Sequence, residues 1–223
     1  SETVMTSTIN IEDNDIEGRF AIPSRTILDA MRERPEQPLT FHIDTLDYSV
    51  KVLYQNGMYS FNALNADEYP QVQPISEGAC VITLDANVLS SNISRSLFAT
   101  AQDELRPVMN GIYFDLTPES LAIVASDGHK LVRNRNYSVK SDTPATFILQ
   151  KKPATLLKTV LRKETGDVVI KFDSRNAEIT YGEGKLCCRL IEGRYPNYNS
   201  VIPKNNPNEL TIDRKVFLSA LRR

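Results

Sequence analysis

The chain has 223 residues, 41% of them hydrophobic and 24% charged, with a formal net charge of −2. At ~100–200 residues per domain this is one or two soluble globular domains, and the charge argues against a surface that grips nucleic acid everywhere. No apolar run of about 18 residues exists, so no membrane span is expected, and the first residues, Ser1-Glu2-Thr3-Val4-Met5, lack the basic and apolar regions of a signal peptide.

Residues 3–11 read as a strand, 12–18 as an acidic turn and 20–22 as a short strand. Pro23 and Ser24 open a helix over 24–34, stopped by Pro35 and Pro38. Strands follow at 39–43, 48–54 and 58–62, with Asn56-Gly57 as a hairpin signal, and 65–79 reads as a linker. A strand at 81–84 leads to a helix over 86–98 capped by Asp85. A loop at 102–107 precedes strands at 111–116, 120–125 and 130–137; a further strand at 145–149 precedes a helix over 152–164 ended by Gly166. Three strands then follow, at 168–172, 176–181 and 185–190.

Between Leu121–Ala125 and Leu131-Val132 stands Ser126-Asp127-Gly128-His129-Lys130. Asp127-Gly128 predicts a two-residue type I′ hairpin, whose polar tip is followed at once by Leu131. Such a hairpin can present a small apolar surface with a polar rim, and it would equally suit an ordinary sheet protein.

The pattern repeats. Residues 17–72 and 142–201 each read strand, basic helix and three strands, with a glycine turn before the last strand and a closing Tyr-Pro at Tyr69-Pro70 and Tyr195-Pro196. At a shift of 128, Thr83, Asp85, Val88, Ser91 and Arg95 meet identical residues within 210–223. The expected organisation is the end of one unit at 1–78, a full unit at 79–205 and the start of a third at 206–223, a fragment of a longer protein. Residues 80–137 and 145–190 each run β-α-β-β-β, giving an α+β fold with mostly antiparallel sheet.

Charge follows the helices. The helical segments 23–34, 85–99, 151–164 and 213–223 carry +8 together, although the whole chain carries −2. Basic helices on an acidic body fit a single phosphate-attracting face, or plain surface amphipathicity.

Catalytic patterns are weak. Gly182-Glu183-Gly184-Lys185 joins two strands and lacks phosphate-loop spacing. Cys80, Cys187 and Cys188 are an odd set, two of them adjacent on a strand, which fits a reduced cytosol better than a disulfide framework. With two histidines and no Cys-x-x-Cys pair, neither a metal nor another cofactor is expected. An enzyme of nucleotide or phosphate metabolism using Asp127 and His129 is the alternative to a non-catalytic binding protein, and a purely structural repeat protein is a third reading.

The stretches RPVMNGIYFDL (106–116), VASDGHKLV (124–132) and LIEGRYPNYNSVIPKN (190–205), with IPSRTILDAMRERPEQPLTFHID (22–44), resemble the bacterial DNA polymerase III beta subunit, the sliding clamp. The resemblance implies the DNA clamp fold: tandem domains, each of two β-α-β-β-β units, with helices facing DNA and sheets outside. It implies a non-catalytic, cytoplasmic processivity factor of DNA replication, which closes as a full-length ring homodimer around double-stranded DNA. The replicative polymerase alpha subunit, the clamp loader and other polymerases or repair proteins would attach through short linear peptides. Carried over by position, the peptide cleft would include Met109, Ser126, Gly128, His129, Lys130, Leu131, Pro196, Ser200 and Val201, with Ser200 at a position often basic in the family. Arg106, Lys151 and Lys152 would face DNA; Pro107 and Val108 replace aromatic residues sometimes found in the DNA-facing loop.

Overall fold

The computed structural model describes all residues except 1, 2, 16, 33, 34, 70 and 104, and leaves out the side chain of Glu68. The expected end of the first helix at 33–34, Pro70 of the first Tyr-Pro pair and Glu104 of the 102–107 loop therefore lie outside the described residues. The chain divides into two compact units, Ser1–Pro74 and Ile75–Arg223.

The first unit contains β1 (Thr3–Ser7), β2 (Phe20–Ala21), α1 (Ser24–Met31), β3 (Thr40–Ile43), β4 (Ser49–Tyr54), β5 (Gly57–Asn62) and β6 (Leu64–Asn65). β1 stops short of the expected residue 11; Ile9 and Ile11 are exposed, so no packing extends it. β3, β4 and β5 form an antiparallel meander, β2 pairs with β6, and Val50, Val52 and Ala63 make a small core with Phe20, Met31 and Phe61 around it.

The β4–β5 hairpin differs from the sequence reading. Tyr54 pairs with Gly57, so the two loop residues are Gln55 and Asn56, and neither has a positive φ. Gly57 is needed for space instead: a Cβ there would lie 2.6 Å from the Tyr54 hydroxyl oxygen. The same device recurs in the second unit, where Tyr181 pairs with Gly184 and its ring fills the space a Cβ would take. Tyr-x-x-Gly is thus a structural mark of the repeat.

The second unit runs β7 (Cys80–Asp85), α2 (Ala86–Ser96), β8 (Gly111–Leu116), β9 (Leu121–Ser126), β10 (Leu131–Asn136), then β11 (Ala145–Gln150), α3 (Lys151–Val160), β12 (Asp167–Phe172), β13 (Asn176–Tyr181) and β14 (Gly184–Arg189). This is β-α-β-β-β twice. Each leading strand crosses to the other half's meander: β7 pairs antiparallel with β12, and β11 with β8. The strand orders are β10-β9-β8-β11 and β14-β13-β12-β7. One core joins both sheets and both helices, including Leu89 and Ile93 of α2, Leu157 of α3, Phe114 and Ile123 of one sheet and Ile170 and Ile179 of the other. Alternate residues of β12 and β13 point into it, as a period of two demands.

Asp85 caps α2 by accepting from the Val88 N–H at 3.0 Å. At the repeat position, Asp213 accepts from Lys215 and Val216 and starts α4 (Arg214–Leu221). Among the described residues no strand precedes α4 as β7 precedes α2: Leu210 and Ile212 are exposed and no ladder partner pairs with them. α3 ends at Val160, capped by Leu161, so Gly166 does not end it; with φ of +102° it shapes the entry to β12, where its carbonyl accepts from Ala86.

Candidate functional site

All six residues of β9 are buried, so both faces of this strand are covered. Leu121 and Ile123 enter the main core. Ala122 and Val124, on the other face, join a second apolar cluster with Ile148, Tyr195 and Tyr198. The segment after β14 folds back over the sheet to build it. Tyr195 stacks on Tyr113 of β8, and the Tyr198 hydroxyl donates to the Asp115 carboxylate at 2.8 Å. Burial and the bond to Asp115 push the Tyr198 phenol up to about 12. Half-buried Val108 and Leu131 pack against this cluster, so Leu131 sits on an apolar shelf with part of its side chain open to solvent.

The β9–β10 hairpin forms the rim of that shelf. Ser126 pairs with Leu131, which leaves a four-residue loop in place of the expected two-residue turn. Gly128 alone in this loop has a positive φ, +93°, so the turn is centred one residue later than a type I′ turn at Asp127-Gly128 would place it. Asp127 organises the loop. Its carboxylate accepts from the His129 and Lys130 N–H groups at 3.0 and 2.9 Å and from the Lys130 ammonium. The Lys130 side chain, then these N–H groups, hold its carboxyl well below the usual range. Asp127 meets the backbone of His129, not its imidazole, so the acid–base pair of the enzyme alternative is not formed. Ser126 Oγ donates to the Lys130 carbonyl and accepts from Gly128 N–H, which places it inside the turn.

The loop before β8 meets the hairpin tip. Asn110 closes this loop, accepting from Asp103 N–H and donating to the Asp103 carbonyl, both at 3.0 Å. The Asp103 carboxylate accepts from Arg106 Nε at 2.8 Å, and that bond first, then the Leu105 N–H, lowers its pKa. The Arg106 guanidinium lies over Gly128, where a Cβ would sit 3.0 Å from Nη1. Arg106, His129, Lys130 and Lys151 line one cavity of about 430 Å³ together with Phe98.

The residues singled out from sequence therefore do not all meet in one place. Gly128, His129 and Lys130 form the exposed tip, with Arg106 and Lys151 beside it; Lys152 is exposed on the first turn of α3. Leu131 lies on the shelf. Pro196, Ser200 and Val201 are exposed on the covering segment, outside the apolar cluster, and Met109 is only 7% exposed, its backbone tying the loop to Ala101. Sequence reasoning missed Tyr113, Asp115 and Tyr198, which build the shelf. The alternation of Tyr113 and Asp115 with buried Ile112, Phe114 and Leu116 was the available signal for a covered outer face.

The family model of the DNA polymerase III beta subunit, central domain, matches residues 83–197. The beta sliding clamp of Synechococcus elongatus is 26% identical over 213 residues, covering 92% of this chain and 56% of the relative. That of Pseudomonas aeruginosa is 25% identical over 225 residues, covering 100% and 60%. A crystal structure of the sliding clamp from Bacillus subtilis shares the fold at a TM-score of 0.88 and 23% identity, covering 99% of this chain and 60% of that one. A sliding clamp from Bartonella birtlesii, solved bound to griselimycin, gives 0.83 and 25%, with the same coverage. The chain thus spans less than two thirds of the length of these relatives. The matched stretch starts within β7, takes in both β-α-β-β-β halves and ends beyond the stacked Tyr195, and the chain belongs to the DNA polymerase III beta subunit family.

Proposed function

We propose that this chain is part of a DNA sliding clamp, a non-catalytic processivity factor that encircles duplex DNA and tethers a polymerase and other partners through short peptides. The single observation that carries this reading is the shelf: half-buried Leu131 on the Tyr195–Tyr198 cluster, rimmed by the polar hairpin. A peptide site needs apolar anchors that exclude water and polar groups that fix register, and these residues supply both. Residues 1–78, 79–205 and 206–223 then correspond to the end of one clamp domain, a whole second domain and the start of a third. In the complete ring Arg106, Lys151 and Lys152 face DNA, and the ring is a homodimer in the cytoplasm.

Griselimycin, bound by the Bartonella clamp, is the probe for the shelf. We expect it to bind this chain, and Leu131→Ala to weaken binding roughly five- to tenfold, about half of what full burial of a leucine is worth. Thermal melting in parallel separates this from a core role, since a half-exposed side chain is expected to shift the midpoint little. A folded Leu131→Ala chain that binds griselimycin as wild type does would remove the shelf as the binding surface.

A further inference from the structure

The cavity between the hairpin tip, the loop before β8 and the start of α3 is separate from the apolar shelf and has its own chemistry. Its volume of about 430 Å³ falls in the range of ~300–1,000 Å³ typical of small-ligand sites. Phe98 lines it and is 65% exposed, a large aromatic side chain left in water. The backbone beneath that ring is fixed: the Leu97 carbonyl accepts from both the N–H and the hydroxyl of Thr100, at 3.3 and 2.8 Å, and Leu97 packs on the main core.

Three basic side chains line the cavity, Arg106, Lys130 and Lys151, against two carboxylates. Both carboxylates are already engaged. Asp103 holds Arg106 through Nε alone, and no bond to the Nη atoms of Arg106 is present among the described residues. Asp127 is taken up by the hairpin backbone and Lys130. Lys151 is the first residue of α3 and has no ion pair among the described residues. The carboxylates therefore hold Arg106 and Lys130 in place at the cavity, and Lys151 stands on the first turn of α3, at the positive end of a helix dipole.

We propose that this cavity takes one unpaired nucleotide of a single-stranded nucleic acid, with its base against Phe98 and its phosphate between Arg106 and Lys151. The proposal rests on the reading of the chain as part of a DNA clamp, and it adds to the duplex-facing Arg106 and Lys151 one contact, Phe98, that an unpaired base can use. An aromatic face beside a guanidinium fork is the arrangement that holds unstacked bases without reading their sequence. A base inside a duplex is stacked on both faces and offers none to Phe98, so the interior of a duplex is excluded from this contact.

The test is fluorescence titration of the 223-residue chain with a single-stranded oligothymidylate of about ten nucleotides and with a blunt duplex of equal length. We expect Phe98→Ala to weaken oligothymidylate binding roughly tenfold, Phe98→Trp to restore it, and neither to change duplex binding. Arg106→Gln should weaken the oligonucleotide and also make it less sensitive to salt. Phe98 is exposed, so its truncation leaves the fold intact, as thermal melting will verify. Unchanged oligothymidylate affinity in Phe98→Ala overturns the proposal, as does equal displacement of the oligonucleotide from wild type and Phe98→Ala by inorganic phosphate, which would mark an anion site alone. Duplex binding that persists under either outcome leaves the clamp reading standing; absence of binding to both nucleic acids removes both.

Discussion

Tyr195 stacks on Tyr113 with ring centroids 4.6 Å apart and planes 2° from parallel, and this contact clamps the segment after β14 onto the outer face of the β10-β9-β8-β11 sheet. Without that segment, Ala122, Val124 and Ile148 would face water. Tyr195→Ala is expected to cost about 3 kcal/mol by urea unfolding, the scale for deleting a buried aromatic ring. Tyr198→Phe removes only the bond to Asp115 and should cost about 1 kcal/mol. Equal losses from the two variants would mean that the ring stack is not what holds the segment.

Two glycines near the site should respond unequally to alanine. At Gly111 a Cβ would meet the Leu149 carbonyl oxygen at 2.5 Å and the Ile148 and Ile191 side chains at 2.7 and 2.9 Å. The nearest obstacle is backbone in the paired strand β11, so Gly111→Ala should cost 2 kcal/mol or more, roughly the scale of overpacking. At Gly128 the obstacle is the end of the Arg106 side chain, which can swing away, so the cost is confined to the positive φ, about 1 kcal/mol. Denaturant midpoints of the two variants check the order.

Asp173 ties the start of the second unit to the β12–β13 turn. Its carboxylate accepts from the Ser76 N–H and hydroxyl at 3.0 and 2.9 Å and from the N–H groups of Arg175 and Asn176, both at 2.8 Å. Burial pushes this carboxyl up, but those donors outweigh it and hold it at about 2. A carboxyl with a depressed folded pKa stabilises the fold above its unfolded value, near 3.9, and loses that contribution as pH falls through the folded one. We expect Asp173→Asn to lower the melting temperature at neutral pH and to flatten the acid limb of stability between about pH 4 and pH 2. An acid limb identical to wild type would show that Asp173 contributes nothing to it.

Element order was legible because both periods are clean: alternation in β12 and β13, and Leu89 with Ile93 on one face of α2. The repeat was legible in Asp85 and Asp213, which both cap helices, and in the glycines that Tyr54 and Tyr181 lie over. The crossing of β7 and β11 into each other's meander was hidden, because strand pairing over such separations leaves no local mark. The turn at Gly128 was misplaced by one residue because Asp127 uses its side chain to bond the loop, which a dipeptide rule does not weigh. The alternation in β8 marked a covered outer face, but not what covers it: Tyr113 and Tyr195 are 4.6 Å apart in space and belong to distant segments of sequence.

The proposed duplex contact shares Lys151 with the nucleotide cavity but makes a prediction of its own. Lys151 and Lys152 open α3, with Lys158, Arg162 and Lys163 further along the same segment, and none of the five forms an ion pair among the described residues. Unpaired cations release counterions when they meet phosphates, and the logarithm of affinity then falls with the logarithm of salt by about 0.9 per phosphate neutralised. Lys151→Ala with Lys152→Ala should lower that slope by about 2 and weaken unrelated duplexes equally, since phosphate contacts carry no sequence information. Lys152 is exposed and Lys151 half-buried at the first turn, so the double variant should melt close to wild type. Titrations of two duplexes of different sequence at several salt concentrations measure the slope directly. A slope unchanged by the double substitution, or a loss confined to one sequence, would remove α3 from the DNA-facing surface.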